Sequence, residues 1–352
     1  MSKEFFNILL KEADNEYASL VDDGIDWGDV TGYVNTGSLS LNALLSGTIF
    51  DGGFADNKII ALAGEPATGK TFYALQAVAN FLLKHPDGFC FFFETEGAVT
   101  TQMFKDRGIN PKRVAVLAVS TVQEFRSQAT RIVDRYLQKT PEERAKMPMM
   151  FVLDSLGMLS TNKEMEDIAR GEDKRDMTRA QLIKGTFRAL TLKMGHAKIP
   201  MIITNHVYDV IGSYVPLKKM NGGSGLEFAA SIVVFLSKKK DVHDKEVTGA
   251  IITAVLKKSR LTIENKSVET LLNYQTGLDP YYGLLDLAEK FGIFKKLSTQ
   301  YELPDGKKTF EKHILADPAK YFTPDILKLI DEKCRDEFLY GKSNLTNIEG
   351  PK

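Results

Sequence analysis

The chain has 352 residues, enough for about two domains and for a core that needs no disulfides. At 43% hydrophobic residues it is not a disordered chain, and 46 basic against 46 acidic side chains leave no net charge, so any hold on nucleic acid must come from a local patch. Two cysteines, Cys90 and Cys334, exclude a disulfide framework or a CxxC zinc site, and no run of 18 apolar residues exists to cross a membrane; the reading is a soluble, cytoplasmic protein with no membrane partner.

In chain order, Phe6, Leu9, Leu10, Ala13, Tyr17 and Leu20 recur at helical spacing and predict one amphipathic helix over residues 3–20, followed by an acidic, glycine-containing stretch at 22–32. From Ile59 onward short apolar runs alternate with amphipathic helices. Residues 59–63, 89–93, 114–119, 149–153 and 200–204 read as buried strands, and their alternation with helices implies a parallel α/β sheet. Thr121 caps the clearest helix, with Val122, Phe125, Ala129, Ile132, Val133 and Tyr136 on one face. Two polar segments, 155–177 and 207–225, are too long to be mere connectors. Residues 231–236 and 249–257 read as strands added antiparallel to the sheet. After Pro280 a short helix, a hairpin-like stretch and a helix opened by Thr323-Pro324-Asp325 predict a small C-terminal domain. The expected organisation is an N-terminal helix and linker (1–35), an α/β core (36–275) and a C-terminal α+β domain (276–352).

Chemistry concentrates at the ends of the predicted strands. Gly64-Glu65-Pro66-Ala67-Thr68-Gly69-Lys70-Thr71 is a full GxxxxGK[ST], directly after one strand and opening a helix over 70–83. Such a loop turns successive N–H groups toward phosphate oxygens; Lys70 would meet the β- and γ-phosphates and Thr71 would bind Mg²⁺, so ATP and Mg²⁺ are the expected ligands. Met149-Met-Phe-Val-Leu-Asp154 is an apolar strand ending in a carboxylate. Alone it reads sooner as a turn opener, but with the phosphate loop upstream Asp154 becomes the carboxylate that holds Mg²⁺ or its water. Phe89–Phe93 runs into Glu94-Thr95-Glu96, two carboxylates expected on one face, of which Glu96 is the candidate general base for water; a solvated acidic turn is the other reading. Thr204-Asn205-His206 ends a further strand, where His206 could sense the γ-phosphate or be an ordinary loop histidine. Lys257-Lys258-Ser259-Arg260 closes another, as a solvated charge run or as a phosphate-binding group.

Taken together these residues resemble the RecA-type homologous recombinases, and among them the UvsX recombinases of T-even-type phages. Gly37-Ser-Leu-Ser-Leu-Asn-Ala-Leu44, Val152-Leu-Asp-Ser-Leu156, Thr204-Asn205-His206, Asn221-Gly-Gly-Ser-Gly-Leu-Glu-Phe228, Lys257–Arg260 and Asp279-Pro-Tyr-Tyr-Gly-Leu-Leu-Asp286 fall in family order, over residues 36–295. The resemblance implies a RecA-like P-loop ATPase core, a mainly parallel sheet flanked by helices. It implies an ATP-dependent strand-exchange recombinase that forms helical filaments on single-stranded DNA and pairs it with homologous duplex. Single-strand-binding and mediator proteins would be partners, in the host cytoplasm if the chain is phage-encoded. Residue by residue, Lys70 and Thr71 would hold phosphate and Mg²⁺, Glu96 would be the catalytic glutamate and Asp154 the Walker B carboxylate. His206 stands where the family usually has glutamine. Lys258 and Arg260 would act on the phosphates of a neighbouring protomer, and Met103, where relatives often carry tyrosine, would face the adenine. The segments 155–177 and 207–225 would bind DNA. Over residues 163–179 five cations face six carboxylates, so Arg175, Arg179, Lys218, Lys219 and the Gly222-Gly223 backbone are the expected contacts. The family's acidic tail is not expected, since the sequence ends Ile348-Glu-Gly-Pro-Lys352. A hexameric DNA helicase or a non-catalytic recombinase paralogue that mediates assembly remain as alternatives with the same core.

Overall fold

A computed structural model describes residues 3–15, 18–172, 176–209, 218–243 and 245–341. Helix α1 spans Lys3–Glu12. The expected helix over 3–20 therefore ends early: Asp14 takes a left-handed φ of 44°, a conformation that stops a helix and that Asp tolerates. Tyr17 lies outside the described residues. From residue 18 the acidic stretch lies along the core, where Lys58 Nζ donates to the carbonyls of Trp27 (3.1 Å) and Gly28 (2.7 Å) and Asn57 Nδ2 donates to that of Asp29 (2.7 Å).

A two-stranded pair, β1 (Tyr33–Val34) with β2 (Phe54–Ala55), brackets α2 (Leu39–Ser46), which Ser38 caps through the Leu41 amide. The alternating part then follows as β3 (Ile59–Gly64), α3 (Lys70–Lys84), β4 (Phe89–Glu94), α4 (Thr101–Lys105), β5 (Val114–Ala118), α5 (Val122–Leu137), α6 (Pro141–Lys146) and β6 (Met149–Asp154). It continues with α7 (Asn162–Ala169), α8 (Arg179–Ala197), β7 (Met201–Asp209), β8 (Lys218–Met220), α9 (Ser224–Ala229), β9 (Ile232–His243), β10 (Glu246–Ser259), β11 (Ser267–Asn273) and β12 (Gly277–Leu278). The strands form one sheet in the order β12-β11-β10-β9-β3-β7-β6-β4-β5, with β8 folded back on β7. The six strands from β9 to β5 run parallel, and β10, β11 and β12 extend the sheet antiparallel.

The central strands β3 and β6 are buried along their whole length because helices cover both faces. Side chains alternate across the sheet. Ile60, Leu62, Phe92 and Val152 pack with α2 and α3 on one side, and Ala61, Phe93, Phe151 and Ile203 with α5 and α8 on the other. The segment 155–177, read as loop, contains α7, built by a capping box between Thr161 and Glu164.

Beyond β12 come α10 (Leu284–Lys290), an antiparallel sheet of β13 (Lys295–Leu297), β14 (Gln300–Glu302) and β15 (Lys308–Phe310), then α11 (Glu311–Ala316), α12 (Pro318–Tyr321) and α13 (Pro324–Phe338). This C-terminal part is tied down firmly. Asp331 on α13 accepts hydrogen bonds from the Thr48 hydroxyl (2.6 Å) and the Ile49 amide (2.7 Å), and Phe294 and Phe338 belong to the same apolar cluster as Leu41 and Val78. Among the described residues no helix is long and apolar enough to cross a membrane.

Candidate functional site

The carboxyl ends of β3, β7, β6 and β4 lie side by side, the position at which open parallel sheets bind ligands. At the end of β3 the loop 64–69 bends through left-handed φ at Ala67 (58°) and Gly69 (86°). A Cβ at Gly64 would stand 2.6 Å from the Thr68 hydroxyl oxygen and 2.7 Å from the Leu236 carbonyl, so no side chain fits there. Gly69 is the N-cap of α3 and offers no side-chain acceptor, which leaves the first amides of α3 to whatever enters the loop. Lys70 is buried, its Nζ donating to the carbonyls of Gly64 (3.0 Å) and Glu65 (2.8 Å). Burial lowers its pKa, and the carboxylates of Asp154 and Glu96 oppose the shift.

Asp154 ends β6 in the same pocket of low solvation. It accepts hydrogen bonds from the hydroxyls of Thr204 and Thr71, yet its pKa is raised, chiefly by burial and further by Glu96 and Glu94. A buried carboxylate and an adjacent threonine hydroxyl are the donor set that suits a hard cation such as Mg²⁺.

The two carboxylates after β4 do not share a face, contrary to the expectation. The strand ends at Glu94, so the alternation of an extended chain stops there. The Glu94 carboxylate is buried and accepts from the amides of Glu96 (3.1 Å), Gly97 (2.8 Å) and Ala98 (2.9 Å), which makes it the organiser of the turn. Glu96 alone faces the site. Its Oε1 accepts from the Ser155 hydroxyl at 2.7 Å and lies 3.4 Å from His206 Nε2. The Asp154–Ser155 peptide is cis, and the Ser155 amide donates to the Thr95 hydroxyl at 2.8 Å.

The end of β7 joins this centre to Asn221 in the 207–225 segment. Asn205 Nδ2 donates to the Asn221 carbonyl (2.8 Å) and the Asn221 amide to the His206 carbonyl (2.9 Å). Lys218 and Lys219 are exposed on β8, and the Lys218 ammonium forms an ion pair with Glu65 of the phosphate loop. Gly222 and Gly223, at φ of 84° and 76°, lie on α8: a Cβ would come within 3.0 Å of Ile183 Cδ1 and 3.1 Å of Ala180 Cβ. Close packing therefore accounts for this pair of glycines. Arg179 is engaged internally, with Nε donating to the Leu159 carbonyl and Nη2 to that of Gly157, each at 2.8 Å. Arg175 lies outside the described residues.

Lys258 and Arg260 are not brought to this centre. Strand β10 runs antiparallel, so Lys258 pairs with Val233 and Ser259 with Ile232, which lie beside Ala61 and Ile60 at the start of β3. The cations thus occupy the sheet edge opposite the phosphate loop. There Lys258 Nζ donates to the Ala230 carbonyl (2.8 Å) and Arg260 Nη2 to that of Phe228 (3.3 Å), while Ser259 is buried between them.

Beside the first turn of α3 opens a hollow of about 580 Å³, lined by Phe72, Gln76, Asp106, Arg107, Tyr274 and Thr276 among others. Met103, the expected base contact, packs instead against the core. Sequence reasoning missed Phe72, Arg107 and Tyr274. Phe72 follows Thr71 directly and could have been noticed, but Tyr274 reaches the hollow only through the pairing of β10, β11 and β12.

Residues 19–279 match the RecA N-terminal domain. The "Recombination and repair protein" of Enterobacteria phage T4 is 30% identical over 256 residues, which cover 73% of this chain and 63%, less than two thirds, of that relative. The "Protein RecA" of Paracoccus denitrificans is 27% identical over 310 residues (86% and 80%), and that of Desulforapulum autotrophicum 27% over 322 residues (91% and 86%).

Proposed function

The chain belongs to the RecA family, and from that premise we propose that it is an ATP-dependent DNA strand-exchange recombinase, assembling as a helical filament on single-stranded DNA and pairing it with homologous duplex. The observation that carries the reading is the convergence of Lys70, Thr71, Asp154 and Glu96 at the ends of β3, β6 and β4, with Asn205 and His206 at the end of β7 linking that cluster to Asn221.

Each residue has a chemical task in this reading. The phosphates of ATP take over Lys70 Nζ from the carbonyls of Gly64 and Glu65, and accept the free first amides of α3. Thr71 and Asp154 are the residues that would hold Mg²⁺, and the ion would supply positive charge to the phosphates. Glu96 takes the proton of the attacking water on Oε2 while Ser155 and His206 hold Oε1. The base lies in the hollow beside α3. His206, between Glu96 and the Asn221 amide, carries the state of the γ-phosphate to β8 and α9, where Lys218 and Lys219 meet the DNA backbone. Lys258 and Arg260, at the far edge of the sheet, serve the nucleotide of the next protomer.

Electron microscopy of the protein with single-stranded DNA and a non-hydrolysable ATP analogue tests the assembly. Helical filaments are expected; closed rings would replace the recombinase with a helicase.

A further inference from the structure

Arg107 follows α4, and its guanidinium carbon stands 4.6 Å from the centroid of the Phe72 ring. One donor, Nη1, bonds the Met103 carbonyl at 2.8 Å, whereas Nε is buried with no hydrogen-bond partner among the described residues. Both Arg107 and Phe72 line the hollow beside α3, and Phe72 lies two residues beyond Lys70. Tyr274, itself largely exposed, lines the same hollow.

A brace for the end of α4 needs only the bond to Met103. It does not explain why a flat cation is laid on an aromatic ring at the wall of an open hollow, with a donor left unbonded. A guanidinium plate is, however, a good surface for another flat π-system, since it is planar, weakly hydrated and stacks on rings. We propose that Arg107, backed by Phe72, is the platform on which the nucleobase stacks, and that it makes the protein prefer purine over pyrimidine triphosphates. The phosphates fix where the base must lie, and the larger purine covers more of the plate. The proposal rests on the reading that the 64–71 loop holds a triphosphate, and its test separates the two.

The test measures binding of ATP, CTP and inorganic tripolyphosphate, with steady-state hydrolysis of ATP and CTP, for the wild type, Arg107→Met and Arg107→Lys. The wild type should bind ATP more tightly than CTP. Arg107→Met should raise KM for ATP about tenfold, leave kcat within about twofold, and erase most of the ATP preference over CTP. Its affinity for tripolyphosphate should stay that of the wild type. Arg107→Lys, which keeps the charge and loses the plane, should behave like Arg107→Met, and Phe72→Leu carries the same test if either variant unfolds. An unchanged ATP-to-CTP ratio in the variants, or equal losses for ATP and tripolyphosphate, overturns the platform while the phosphate loop stands. A wild type that binds neither ATP nor tripolyphosphate overturns the phosphate-loop reading itself and the platform with it.

Discussion

Burial beside Glu96 and Glu94 raises the pKa of Asp154 above the ordinary carboxylate value, even though two hydroxyls bond to it. The folded chain therefore binds this proton more readily than the unfolded chain. Stability falls as pH rises from the ordinary carboxylate pKa to the raised one, and at neutral pH the ionised group works against the fold. Asp154→Asn should accordingly melt about 2 °C higher than the wild type at neutral pH without nucleotide, while losing Mg²⁺-dependent hydrolysis. The gain should shrink on acidification through the raised pKa of Asp154, as the carboxylate takes up its proton. Thermal unfolding against pH decides it; a less stable variant at neutral pH would mean that attraction between Lys70 and Asp154 outweighs burial. Glu96→Gln separates binding from turnover. An amide can still accept from Ser155 but cannot take a proton from water, so ATP should bind normally and hydrolysis should fall by about 10²-fold or more. Loss of ATP binding as large as the loss of turnover would remove Glu96 from the role of base.

On the scale of elements, the DNA contact proposed for β8 and the bracing by Arg179 of α8 can be told apart by salt dependence. Lys219 is exposed, so Lys219→Ala should lower the slope of log K against log salt by about 0.7 for single strands, while Lys218→Ala should lower it by less, because the Lys218 ammonium must first leave its pair with Glu65. Arg179 braces the 156–159 segment, so Arg179→Ala should weaken DNA binding with the slope unchanged. A lowered slope for Arg179→Ala would turn it back into a phosphate contact. Much of this layout was legible beforehand, because strands covered on both faces leave continuous apolar runs such as Met149–Leu153, and a strand, glycine turn and helix in sequence carry the phosphate loop whole. Helix α7 escaped because five of its eight residues are polar, although Thr161 and Glu164 spell the capping box that starts it. Glu94 escaped because its role depends on where the strand stops. The hollow at Phe72, Arg107 and Tyr274 escaped because it joins residues about two hundred positions apart through the order of strands in the sheet.

For the whole molecule, the distribution of charge and apolar surface calls for a neighbour. Hydrolysis needs positive charge on the γ-phosphate beyond Lys70, and a cation supplied in trans is worth roughly 10³–10⁵ in rate in related phosphate chemistry. Lys258 and Arg260 cannot supply it within one chain, since the antiparallel course of β10 sets them at the opposite edge of the sheet. There they rest on the carbonyls that end α9. Helix α1 meanwhile leaves Phe5, Phe6, Ile8 and Leu9 about half exposed, an apolar face of the kind a second copy would cover. A head-to-tail stack satisfies both, placing the far edge of one protomer against the phosphate loop of the next. The prediction is complementation: Lys70→Ala protein and Lys258→Ala, Arg260→Ala protein, each inactive alone, should regain DNA-dependent ATPase activity when mixed. In an equimolar mixture roughly a quarter of the interfaces join an intact loop to intact cations, so recovery should approach that fraction of the wild-type rate. ATPase assays on co-assembled filaments make the measurement. If both proteins sit on the same DNA and the rate stays at background, the cations act within their own chain or not at all.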